Sequence, residues 1–269
     1  MTYKQNLHTH TVYCDGKDKP EDMILKAIEL GFDAIGFSGH SPTKYSLIEL
    51  PENLEEYKSE IYALKEKYRD KIEVYCGLEI DMYSHVSQAG YEYLIGSIHY
   101  LKMNDRYVGF DCSADVVQKV IDEYFNSNGL LFAKEYYNQL ALLPQYGNFD
   151  IVGHFDIITK NIEKAFLFDT ESKEYQKYAL ETLEYLTDKI GVFEVNTGAI
   201  ARGYRTTPYP QRFILEKMKE FGGKIIITSD CHDKNLLDCN YNQTIEYVKS
   251  CGFSEVQIIR KGKFVGVKL

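Results

Sequence analysis

Short apolar runs and longer amphipathic stretches alternate along all 269 residues of the chain. The runs at 32–37, 72–78, 93–98, 149–153, 192–195 and 224–229 have the length and content of buried parallel strands. An apolar-polar alternation ending at His8 and His10 supplies a first strand ahead of them. Between the runs, apolar residues recur at helical spacing. The segment 20–30 starts on Pro20, which suits a first helical turn, and stops at Gly31; Ile24, Leu25, Ala27 and Ile28 form its stripe. The segment 53–68 carries Leu54, Tyr57, Ile61 and Leu64 on one side. Ser113 is placed to cap a helix reaching residue 125, with Val116, Val117, Val120 and Ile121 inward. Further helices are predicted over 131–143, ending before Pro144, over 171–189, stopped by Gly191, over 211–221, stopped by Gly222-Gly223, and over 241–250. The tail, 256–267, reads as two short strands around Lys261-Gly262-Lys263. Residues 101–114 are less regular and are expected to form a loop over one end of the fold.

Strand–helix units repeated in this way predict an α/β fold with a parallel sheet covered by helices. The strands also end alike. Gly39-His40 follows the second, Glu79 and Asp81 the third, His99 the fourth, His154 the fifth, Asn196-Thr197-Gly198 the sixth and Asp230-Cys231-His232 the last. Six of the seven histidines therefore fall at or just past a strand's C-terminal end, the functional face of parallel α/β folds. A closed barrel brings all these ends to one mouth, whereas an open sheet leaves the first and last far apart; a barrel is expected. No repeat, low-complexity tract or linker interrupts the chain, so residues 1–269 are read as one domain.

Composition acts mainly by exclusion. A formal net charge of −9 argues against long nucleic acid and anionic membrane surfaces as partners. It leaves room for an anionic substrate at a metal site, where the ions supply positive charge. There is no apolar run of about 18 residues and no visible secretion signal, so a cytoplasmic protein without a membrane span is expected. Cys14, Cys76, Cys112, Cys231, Cys239 and Cys251 lack Cys-x-x-Cys spacing and fit reduced thiols. Cys231 alternates away from its ligand-type neighbours and reads as a packing residue.

The ligand-type residues at strand ends are His8, His10, Asp15, His40, Glu79, His99, His154, Asp230 and His232. They exceed the roughly three or four that one zinc needs and suit two or three divalent ions with a bridging carboxylate. Mixed histidine and carboxylate ligation favours Zn, Mn, Fe or Co over Mg or Ca. Such sites activate water and clamp phosphoryl groups. A closed structural or storage site would instead be cysteine-rich, and a mononuclear or binuclear amidohydrolase would not use so many ligands.

His-Thr-His at 8–10, Gly-His at 39–40, Gly-Leu-Glu at 77–79, the isolated His99 and His154, and Ser-Asp-Cys-His at 229–232 together resemble the polymerase-and-histidinol-phosphatase (PHP) family. The match spans almost the whole chain, and Glu194-Val195-Asn196-Thr197-Gly198 resembles a segment the family carries before its last motif. Chain length and the run Ile95-Gly96-Ser97-Ile98-His99 look most like its histidinol-phosphate phosphatase branch. The resemblance implies a distorted, TIM-like (β/α)7 barrel with a trinuclear centre at the C-terminal ends of the strands. It assigns His8, His10, Glu79 and Asp230 to one metal, and Glu79, His99 and His154 to a second, with Glu79 bridging. Asp15, His40 and His232 fall to a third; some family members have His where Asp15 stands.

The resemblance further implies hydrolysis of L-histidinol phosphate to L-histidinol and phosphate in histidine biosynthesis, by a metal-bridging hydroxide. Asp230 is the candidate acceptor of the nucleophile's proton. Another small phosphate ester or a nucleotide is the alternative substrate. Outside the ligands, Arg202 and Arg205 offer guanidinium forks that match phosphate geometry. Asn196, Lys160 and Asp156 complete the candidate substrate contacts, Asp156 as a partner for the amine or imidazole of histidinol.

Overall fold

The structure is a computed structural model that describes residues 3–45 and 53–269. Its strands are β1 (Gln5–Asn6), β2 (Ala34–Phe37), β3 (Glu73–Asp81), β4 (Tyr93–Ser97), β5 (Tyr100–Met103), β6 (Arg106–Gly109), β7 (Ile151–Val152), β8 (Val192–Asn196), β9 (Lys224–Thr228), β10 (Glu255–Arg260) and β11 (Lys263–Lys268). Its helices are α1 (Pro20–Glu29), α2 (Leu54–Tyr68), α3 (Ala114–Tyr124), α4 (Gly129–Leu140), α5 (Lys173–Lys189), α6 (Gly198–Ala201), α7 (Arg212–Glu220) and α8 (Tyr241–Ser250).

Seven strands form one sheet in the order β1-β2-β3-β4-β7-β8-β9, every neighbouring pair parallel. The sheet curls until its two edges meet just past their ends. There His10 N donates to Cys231 O (2.8 Å) and Cys231 N donates to His8 O (3.1 Å). Beneath this seam the Asn6 amide donates to Ser229 Oγ and to the Leu237 carbonyl. The result is the expected barrel, closed by a narrow seam rather than a full ladder.

Side chains from alternate strand positions fill the interior. Leu7, Ala34, Tyr75, Tyr93, Ile95, Ile151 and Ile226 form this inner core, while a larger core lies between the sheet and its helices. Gly77 makes room for the Tyr93 ring, since a Cβ there would lie 2.3 Å from a ring carbon. The β10–β11 hairpin plugs one end by adding Ile258 and Ile259 to the inner core. Ile259 N donates to Gln5 Oε1 (3.0 Å) and Lys261 N to Glu73 Oε2 (3.1 Å), which anchors the plug. The other end, where the parallel strands finish, is left as the mouth.

Several elements differ from the sequence reading for local reasons. Residues 101–114 contain a hairpin, β5–β6, turned at Asn104 with φ of 57°. Tyr107 of this hairpin stacks on Tyr45, ring centroids 3.7 Å apart. Strand β3 runs on through Asp81 because it pairs with β4 to Ser97, so Glu79 lies inside a strand. Helix α4 begins early because the Asn128 side chain accepts from Leu130 N and Leu131 N. It ends early as well, and Pro144 sits in a separate 3-10 turn, Leu143–Gln145. Leu25 and Val116, expected inward, are 50% and 41% exposed. Among the described residues, no helix is long and apolar enough to cross a membrane.

Candidate metal centre

The seam fixes His8 and His10. Their backbones bond to Cys231, and Thr9 Oγ1 donates to Gly36 O (2.8 Å), so the intervening side chain turns away and both imidazoles face the mouth. The chain then turns tightly back on itself. A Cβ on Gly16 would lie 2.4 Å from the His10 and Thr11 backbone, so only glycine permits the turn that presents Asp15. Across the seam Asp230 adopts a positive φ of 47°, an uncommon conformation that aims its carboxylate inward. Cys231 packs as expected, its buried thiol donating to Asp233 O.

Three overlapping groups result. His8 Nε2 lies 3.3 Å from Glu79 Oε2 and 3.7 Å from Asp230 Oδ1; His10 Nε2 lies 3.6 Å and 3.2 Å from the same two oxygens. Ligands about 2.0–2.1 Å from one tetrahedral ion stand about 3.3–3.4 Å apart, so these four atoms outline such a site. The other Glu79 oxygen, Oε1, lies 2.8 Å from His154 Nε2 and 3.4 Å from His99 Nε2, and the two imidazole nitrogens are 3.3 Å apart. Glu79 thus offers one oxygen to each group. In the third, Asp15 Oδ1 lies 3.2 Å from His232 Nε2 and 3.6 Å from His40 Nε2. His40 stands between groups, because its Nδ1 is 2.8 Å from Glu79 Oε2.

The chemistry of the set fits cations. His8 Nε2 and His10 Nε2 are buried without a hydrogen-bond partner, and Glu79 Oε2 meets His40 Nδ1 at 2.8 Å outside hydrogen-bond geometry, a costly state unless an ion satisfies them. Several imidazoles are oriented by their far nitrogen. His8 Nδ1 donates to Glu194 Oε1 (2.6 Å), His232 Nδ1 to Asp230 O (3.0 Å), and His10 Nδ1 lies 3.4 Å from Cys14 Sγ. Each ring then turns Nε2 toward the centre, the arrangement that metal-ligating histidines show.

Electrostatics reflect the crowding. Burial alone would push the His8 imidazole down, but Glu194, Glu79 and Asp230 hold it well above the ordinary histidine value. Burial pushes His10 well below that value, and the neighbouring His232 and His40 add to the effect. Burial works against ionised Glu79 and Asp230, yet both stay well below the usual carboxylate range. Glu79 is held there by His8, His40 and His99, and Asp230 by Arg202 and His8. Burial raises the Cys14 thiol to about 11, so it stays protonated near neutrality.

The candidate substrate contacts divide. Arg202 reaches the centre: its Nη2 donates to Asp230 Oδ2 (3.0 Å) and its Nη1 to Asp230 O (3.2 Å), with the guanidinium still part-exposed. Arg205 does not. Its side chain is buried, donating to Thr159 Oγ1 and Thr207 Oγ1 with Asp156 3.9 Å away. Asp156 is fully buried and accepts from Gln211 N and Thr159, so it is spent inside the fold. Asn196 is buried too, its amide donating to Glu194 Oε2 and its carbonyl accepting from Gly198 N. Lys160 ion-pairs with Asp111 (2.7 Å) beside the Tyr204 ring. Of the five, then, Arg202 alone hydrogen-bonds to a member of the ligand cluster; Arg205, Asp156 and Asn196 are held by contacts inside the fold, and Lys160 is paired with Asp111. Asp81 is likewise taken up by backbone, accepting from His99 N and Tyr83 N. His85, on an exposed loop, lies outside the cluster. Sequence reasoning missed Glu194, which meets His8, and Asp111, whose carboxyl, against the upward push of burial, is held low by Lys160, His99 and Arg202 around it. The Glu194 signal was its place two residues before Asn196 on a strand aimed at the mouth.

A parallel barrel whose open end gathers six histidines and three carboxylates into overlapping groups defines a polynuclear metal-binding barrel. The PHP domain family model matches residues 6–198, and the chain belongs to that family. Asp230 and His232 lie beyond the matched span. The chain is 27% identical to a Schizosaccharomyces pombe protein named "Probable histidinol-phosphatase", over 97% of this chain and 90% of that one. It is 25% identical to a Lactococcus lactis protein named histidinol-phosphatase, over 99% and 96%. A crystal structure of the Lactococcus lactis histidinol phosphate phosphatase, complexed with Zn, L-histidinol and phosphate, superposes with a TM-score of 0.76 at 22% identity. It covers 97% of this chain and 98% of that one, which establishes the shared fold.

Proposed function

We propose that the protein is a metal-dependent phosphomonoesterase that hydrolyses L-histidinol phosphate to L-histidinol and phosphate, a step of histidine biosynthesis. The observation that carries this reading is the convergence of nine ligand-type side chains, with Glu79 facing two groups at once and Arg202 at their edge. The names of relatives matched over nearly the full chain support the substrate.

In this reading His8, His10, Glu79 and Asp230 hold one ion, Glu79, His99 and His154 a second, and Asp15, His40 and His232 a third. Two or three divalent transition-metal ions, Zn, Mn, Fe or Co, supply when bound a nucleophilic water at neutral pH and draw charge from the phosphoryl oxygens. Arg202, part-exposed at the edge of the ligand groups, is placed to orient the phosphoryl group through its guanidinium fork. Asp230, ionised in its buried setting, is the group placed to accept the proton of the nucleophile. Glu79 fixes the distance between the first two groups. The whole chain acts as a single domain, and six free thiols favour a cytoplasmic setting.

The test compares kcat/KM for L-histidinol phosphate with that for a panel of phosphate monoesters, including nucleotides, on metal-loaded protein. A preference of about tenfold or more for L-histidinol phosphate is expected; equal or faster turnover of a nucleotide overturns the substrate assignment.

A further inference from the structure

We infer that Glu194 is a positioning residue that sets the orientation of ligands in two of the three groups at once. This rests on the metal reading above and deepens it. Glu194 lies on β8 and its side chain is fully buried. Oε1 accepts from His8 Nδ1 at 2.6 Å. Oε2 accepts from the backbone N–H of His154 at 2.9 Å and from Asn196 Nδ2 at 3.2 Å. One carboxylate therefore receives three donors, two of them on residues from different groups.

Each contact has a separate effect. The bond to Nδ1 places the hydrogen of the His8 imidazole there and turns the Nε2 lone pair toward Glu79 Oε2 and Asp230 Oδ1. The bond to His154 N holds the start of the loop after β7, from which the His154 ring reaches Glu79 Oε1. Asn196 braces the carboxylate from the same strand, which explains why that residue is buried rather than offered to substrate. Asp81 provides a contrast. It accepts backbone N–H from His99 and Tyr83, and so supports a single ligand. None of the Glu194 contacts extends to Asp15, His40 or His232 in the third group.

This separation makes the inference testable. Glu194→Gln keeps the size of the side chain but replaces one acceptor oxygen with a donor. Its amide then either faces His8 Nδ1, favouring the tautomer with hydrogen on Nε2, or opposes the His154 N–H. Metal-free wild type and variant are titrated with Zn(II) against a chromophoric chelator. The expected result is a loss of about 10–100-fold in affinity for the ions held through His8 and His154, with wild-type affinity kept at the group of Asp15, His40 and His232. Glu194→Asp, one methylene too short to span both donors, is expected to show the same selective loss, and it carries the measurement if the glutamine variant does not fold. Unchanged affinity, or equal weakening at every site with a parallel loss of folded protein by circular dichroism, overturns the inference. Wild-type protein that takes up no Zn(II) instead overturns the metal reading itself.

Discussion

Arg202 and Arg205 stand three positions apart in one loop and have opposite fates. Arg202 lies part-exposed against Asp230, while Arg205 is sealed among Thr159, Asp156 and Thr207. Arg202→Ala is expected to lower kcat/KM by about 10–100-fold, the worth of about 1.5–3 kcal/mol for a charged hydrogen bond; steady-state kinetics check it. Asp156→Ala acts on stability instead. It leaves the buried Arg205 guanidinium without its carboxylate neighbour. A loss of about 3 kcal/mol is expected, read as a shifted urea midpoint. The two arginines could not be separated in the sequence, because the direction of a long side chain in a loop depends on contacts made by distant elements. The ligands were legible for the opposite reason. Apart from Asp15, which the Gly16 turn presents, each candidate ligand is held at or shortly after the C-terminal end of a parallel strand, where the backbone leaves its side chain little choice of direction.

At the scale of elements, most strands and helices were readable from apolar spacing and from their stops at Gly31, Gly191 and Gly222. What escaped depended on tertiary contacts. The β5–β6 hairpin owes its place to aromatic packing of Tyr107 against Tyr45 and Tyr83. The strands of the β10–β11 hairpin were visible, but their role as a plug was not. Ile258 and Ile259 meet Tyr3, Tyr75 and Tyr93 only once the barrel has curled. Ile259 is 1% exposed in that core. Ile259→Ala is therefore expected to cost about 2–5 kcal/mol, measured by chemical denaturation, although the residue lies at the end of the barrel opposite the mouth.

For the whole molecule, the barrel was legible because ligand-type residues in the first and last units had to share one site. The width of the closing seam was not, since it depends on how far β1 and β9 overlap. That seam joins Asn6 to Ser229, 223 positions apart, with few hydrogen bonds. In the proposed site His8 and His10 stand on one side and Asp230 on the other. A shared ion there is a reversible cross-link over most of the chain, and it removes loop-closure entropy much as a disulfide would. Ion supply then governs mechanical integrity as well as chemistry. Stripping the protein with a chelator is expected to abolish hydrolysis and to speed amide hydrogen exchange at His10 and Cys231, while the paired amides of β3 and β4 stay protected. Restoring Zn or Mn should reverse both. Starved of its ion, the barrel should unzip first along this one line, so that the residues proposed to make the catalyst are also the ones that keep it shut.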